Sequence, residues 1–150
     1  MSDVTVEQVA EDAELESILT FELSARNTEV ESDPDEEIEP SHVLILASKD
    51  DGKGFQVRLR TDIETREAEI VADLAVRFGL TELSAKDISE EVMLDFVNKV
   101  ALMALLPYVR QSIADLTQRV FGSPLLMPLM KRGDLTFSPS DVTERKPQRA

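Results

Sequence analysis

The chain has 150 residues, 42% of them hydrophobic, and carries a net charge of −14. That length suits a single domain burying roughly two-thirds of its unfolded surface, a core that needs no metal or disulfide staple. The absence of cysteine excludes a disulfide framework, a thiolate zinc site and a cysteine nucleophile, and is compatible with a reducing compartment.

The charge is unevenly placed. Residues 1–40 carry 14 acids against the single base Arg26, whereas residues 41–150 carry 16 acids and 15 bases. Affinity for nucleic acid comes chiefly from clustered Lys and Arg, so nucleic-acid binding is not expected. An acidic decoy of DNA is one reading of the front end, and an arm that solvates an otherwise sticky domain is the favoured one. Residues 1–16 form this arm, expected to be partly disordered, with Val6, Val9, Ala10 and Ala13 spaced as a thin helical stripe. Met1-Ser2-Asp3-Val4 offers no basic stretch followed by an apolar core, so no secretory signal is expected and the expected location is the cytoplasm.

Along residues 18–30, Phe21, Leu23 and Ala25 alternate with Thr20, Glu22, Ser24 and Arg26, which predicts a half-buried strand. The acidic, proline-containing residues 31–40 are long enough for a crossover. A short apolar run at residues 43–47 precedes the turn chemistry of Asp50-Asp51-Gly52-Lys53-Gly54. Phe55, Val57, Leu59, Thr61 and Ile63 then alternate with polar residues, so the two runs predict a hairpin. Residues 67–78 fit two templates. As a strand, Ala68, Ile70, Ala72, Leu74, Val76 and Phe78 share a face; as a helix, Glu69, Asp73 and Arg77 line up as a polar stripe.

Ser84 or Asp87 can cap the next element, with Glu90 and Glu91 favouring the positive end of a helix. Apolar residues recur at Val92, Phe96, Val100, Met103, Leu106, Ile113, Leu116 and Val120, which predicts one long helix. Gly122 and Pro124 stop it, and Pro107 removes one of its backbone hydrogen bonds. The chain is uncharged from Val100 to Val109, about half the roughly 20 residues that cross a bilayer, so membrane insertion is not expected. Ala101, Leu102, Leu105 and Tyr108 add a second greasy face, and one sheet covers only one face. The second needs a partner helix, a second subunit or a ligand.

Catalytic machinery is sparse. The single histidine, His42, opens a strand beside Pro40, no serine sits in a nucleophile elbow, and there is neither a glycine-rich phosphate loop nor metal-ligand spacing. No enzyme, no cofactor and no metal are expected. Tyr108 and Arg110 read as rim residues, the arginine paired with Asp115 or a sheet carboxylate. Met127 and Met130 lie in a proline-punctuated loop, where flexible thioethers suit a surface that accepts many partners.

The four-strand pattern, the helix bearing Leu106-Pro107-Tyr108-Val109-Arg110 and Ile113, and the segment Ser123-Pro124-Leu125-Leu126-Met127-Pro128-Leu129 together resemble the SecB family of export chaperones, including the SecB-like chaperones attached to toxin–antitoxin systems. The resemblance covers residues 18–137 and is most specific at Pro107-Tyr108-Val109-Arg110. It implies an α+β fold in residues 17–137, with a four-stranded antiparallel sheet packed on a long C-terminal helix and residues 67–78 as the fourth strand. Residues 138–150 are then a disordered tail, and the family's C-terminal helix is missing.

The resemblance further implies a dimer of dimers, a cytoplasmic homotetramer that holds unfolded or precursor polypeptides in an apolar groove without ATP. It implies protein export through SecA, or service to a toxin–antitoxin pair. The implied groove comprises Leu102, Leu105, Tyr108, Phe121, Leu125, Leu126, Met127, Leu129 and Met130, with Phe78 and Val43 beside it. Asn27 and Glu31 align with partner contacts for SecA, but Val71 stands where the family's strand-four glutamate is expected, which weighs against that coupling. A structural or adaptor subunit, whose apolar helix is consumed by one fixed partner, is the alternative.

Overall fold

The computed structural model describes residues 3–127 and 134–144. The acidic arm forms helix α1, Val6–Asp12, capped by the Thr5 hydroxyl, and its Val9 is buried in the core. Strand β1, Glu14–Asn27, crosses through the acidic connection to β2, Ser41–Ser48. Hairpins then lead to β3, Gly54–Glu64, and β4, Ala68–Gly79. The β2–β3 turn passes so close to the next loop that a Cβ on Gly52, whose φ is 75°, would stand 2.3 Å from the Ser84 hydroxyl oxygen. The ambiguous fourth segment is therefore a strand, paired antiparallel with both β1 and β3.

Helix α2 runs Glu90–Phe121, with a π-helical turn at Val97–Ala101. Its cap is the Ser89 hydroxyl, which accepts from the Val92 N–H; the Ser84 hydroxyl caps a separate 3-10 turn, Ala85–Asp87, in which Asp87 itself lies. Gly122, at φ 79°, ends it in the left-handed conformation. An 18-residue window of the helix has a mean hydropathy of 1.6, enough by length and composition to span a bilayer. Within the fold 44% of that window is buried.

The stripe that the helix turns to the sheet overlaps the one its periodicity predicts only at Phe96, Leu106 and Ile113. The buried residues are Leu94, Phe96, Val97, Ala101, Leu102, Leu105, Leu106, Val109, Ile113 and Thr117, while Val92, Val100, Met103, Leu116 and Val120 are half-buried. A π-turn holds an extra residue, which rotates the helix phase between its two halves. At the centre of the core, Phe55, Phe78 and Phe96 meet with ring centroids 5.2 to 5.5 Å apart.

The sheet order is β1-β4-β3-β2-β5, with β5 at Val142–Glu144. The fifth strand pairs parallel with β2 and follows a 3-10 turn, Pro139–Asp141. Within residues 138–150, expected to be a disordered tail, residues 142–144 are thus built into the sheet: the tail's lack of apolar period hid a strand too short to show one.

The face of the sheet away from α2 is polar in sequence but partly closed. Asp73, 1% exposed, accepts from Arg58 Nε and Nη2 at 2.8 and 2.6 Å. This hydrogen-bonded pairing holds the Arg58 guanidinium pKa above its ordinary value. The Phe21 ring lies 4.0 Å from the Arg58 guanidinium carbon. A bulge between Thr20 and Glu22 accounts for that placement, because it moves Phe21 off the face shared by Leu23 and Ala25, where alternation had put it.

Candidate functional site

After Gly122 the chain folds back along the helix it has just left. The Thr117 hydroxyl donates to the Ile113 carbonyl and accepts from the Leu125 N–H, both at 2.7 Å. Seven residues earlier on the helix, Arg110 Nε donates to the Met127 carbonyl at 3.0 Å. These two brackets seat Leu125 half-buried and Met127 in the core, and they turn the side chain between them outward: Leu126 is 69% exposed. Exposing a leucine opposes the hydrophobic term, worth about 1.5–3 kcal/mol for a fully buried side chain. Here the exposure follows from hydrogen bonds that fix its neighbours.

Tyr108 is 50% exposed, next to exposed Pro107 and Gln111. Tyr108 and Arg110 are two residues apart, about 200° around the helix axis. The tyrosine and the bracketed loop therefore lie on opposite flanks of α2. Phe121, half-buried, closes the helix near the loop's start. The guanidinium of Arg110 is committed to the loop, while Asp115 instead faces Arg119 at 3.6 Å.

The expected groove is divided by this arrangement. Leu102 and Leu105 are completely buried against the sheet, and Phe78 is enclosed in the aromatic trio with Phe55 and Phe96, so the surface of the subunit offers none of the three. They face inward because the sheet, rather than a second helix, meets the stripe that contains them. Val43 is exposed, but it pairs with Arg60 on the polar face of the sheet, away from α2. Leu129 and Met130 lie outside the described residues. Asn27 ends β1, where its Oδ1 accepts from the Glu29 N–H at 2.8 Å, and Glu31 is exposed beyond it.

Three polar features escaped the sequence reading. Asn98, in the π-turn, donates from Nδ2 to the Phe137 carbonyl and accepts at Oδ1 from the Phe137 N–H, both at 2.9 Å. Thr117 lies in the buried stripe, and Asp12 accepts from the N–H groups of Thr81, Glu82 and Leu83 at 2.9 to 3.1 Å, tying the arm to the loop before α2. Those backbone donors, Leu83 first, hold the Asp12 carboxyl below its usual range. The available signal was a polar side chain inside an apolar helix face, which must find a partner when buried. His42 is half-buried with Nδ1 2.9 Å from the Thr61 hydroxyl, and burial lowers its pKa.

Neither a protein-family model nor a curated protein sequence matches the chain. Among solved structures, it is similar to a SecB-like chaperone of Mycobacterium tuberculosis, determined in complex with a ChAD peptide from the HigA1 antitoxin. The TM-score is 0.68, and the match covers 83% of this chain and 92% of that one at 20% identity. This chain has the SecB-like fold. A protein of unknown function from Streptococcus agalactiae gives a TM-score of 0.40 at 11% identity, covering 79% of this chain and 98% of that one. The four antiparallel strands and the long helix stand as the resemblance implied, and in this chain the parallel β5 lies at the β2 edge.

Proposed function

We propose that this chain is an ATP-independent holdase of the SecB family. The observation that carries the reading is the outward display of Leu126 and Tyr108 on two flanks of one helix, in a fold shared with a chaperone that binds a peptide. Exposed apolar side chains in a segment anchored through its main chain offer foreign chains weak, sequence-tolerant contacts. Many such contacts along one client raise avidity while letting each site release quickly.

In this reading Tyr108, Phe121, Leu125, Leu126, Leu129 and Met130 contact unfolded or precursor proteins. Two dimers pair into a tetramer in the cytoplasm and bring the flanks of neighbouring subunits together. No catalytic step is involved. Asn27 and Glu31 form a contact for a partner such as SecA, and a toxin–antitoxin pair is the other candidate recipient of the service.

The test is light scattering from a chemically denatured client diluted into ATP-free buffer. A several-fold molar excess of the chain should suppress aggregation, and Leu126→Asp should remove most of that protection. Absence of protection by the unsubstituted chain would refute the reading.

A further inference from the structure

The C-terminal segment is held as a binding partner is held. Asn98 grips both the N–H and the C=O of Phe137, a two-point contact with main chain that does not depend on the identity of the gripped residue. The π-turn that carries Asn98 is a device found frequently at functional sites, where it re-aims a side chain. The Phe137 side chain is 7% exposed and belongs to the core cluster, so an apolar socket accompanies the polar grip. Five residues on, Val142, Thr143 and Glu144 pair with Leu44, Ile45 and Leu46 as a parallel strand on a sheet that is otherwise antiparallel. A three-residue strand makes few ladder bonds, and the edge it covers is a template for any extended chain.

We propose that the Asn98 clamp, the Phe137 socket and the outer edge of β2 form a binding site for an extended polypeptide strand, which residues 134–144 of this chain occupy in cis. The incoming strand carries a large apolar residue for the socket and, five residues later, a short segment that runs parallel to β2. Room for the exchange exists beside the strap. An open groove of about 820 Å³ runs from Asn98 to Pro139, floored by Val4, Val6, Val92 and Leu94. Identifying the incoming strand as a chaperone client rests on the function proposed above; the site itself does not.

A dye-labelled peptide with the sequence of residues 134–144, followed by fluorescence anisotropy on the full-length chain, tests the site. A tethered strap competes at an effective concentration on the order of millimolar, so the unsubstituted chain should bind the peptide weakly. Phe137→Ala, which empties the socket, should bind it at least tenfold more tightly. Ile45 and Thr143 stand opposite each other, so the double variant Ile45→Cys, Thr143→Cys can lock the strap closed. Oxidation should lower peptide binding at least tenfold, and reduction should restore it. Ile45 is buried but lies outside the cluster that holds Phe137, so this variant leaves the socket intact and decides the matter if Phe137→Ala does not fold. Equal binding by the unsubstituted chain and the oxidised and reduced double variant would overturn the proposal. A chain that obeys the lock yet fails to suppress client aggregation supports the site and refutes the holdase.

Discussion

The two segments that follow the long helix are fastened by the same means and to opposite ends. Residues 123–127 are held through the Leu125 N–H and the Met127 C=O by Thr117 and Arg110; residues 134–144 are held through both polar atoms of Phe137 by Asn98. In the first segment the grip turns an apolar side chain, Leu126, into solvent; in the second it presses one, Phe137, into the core. Main-chain anchoring thus separates where a segment sits from which of its side chains is hidden. One helix can then display greasy surface and cover it along its own length.

Substitutions around the two grips should sort by this logic. The largest loss is expected for Met127→Ala, about 2–5 kcal/mol in urea denaturation, because a buried side chain leaves a cavity. Thr117→Val strands the Leu125 N–H and should cost about 1–3 kcal/mol, with faster amide exchange in the loop as its signature. Asn98→Ala removes two hydrogen bonds from a half-buried site and should cost about 1–2 kcal/mol, with exchange at Phe137 accelerated and the loop at residues 123–127 unchanged. Leu126→Asp should shift stability by no more than about 0.5 kcal/mol while removing protection of a client. A large destabilisation by Leu126→Asp would erase the contrast between the two segments.

Much of the architecture was readable where the physics is local. The alternation from Phe55 to Ile63 identified β3, and Gly122 with Pro124 marked the helix end, because pleat period and left-handed φ act within a few residues. Strand β4 was ambiguous because Asp73 and Arg77, which mimic a helical stripe, belong to a sheet face that Phe21 and Arg58 partly roof over. The facing stripe of α2 was assigned only in part, at Phe96, Leu106 and Ile113, because the phase change at the π-turn has no apolar signature. Of the candidate site, Tyr108 and Leu126 were found as exposed apolar residues, whereas Leu102, Leu105 and Phe78 were not separable from them by hydrophobicity alone. The strap was missed because its only sequence trace is one asparagine amid apolar neighbours.

The enclosed Arg58–Asp73 pair has a bearing on how the hairpin finds its alignment. Successive strand residues point to opposite faces, so sliding β4 past β3 by a single position would invert it and drive the Asp73 carboxylate, stripped of its guanidinium, onto the core face that holds Leu59 and Ile63. An unpaired ion in such surroundings is penalised by several kcal/mol. The pair therefore works as a ratchet tooth: it contributes little to holding the correct alignment and a great deal to forbidding its nearest misalignment.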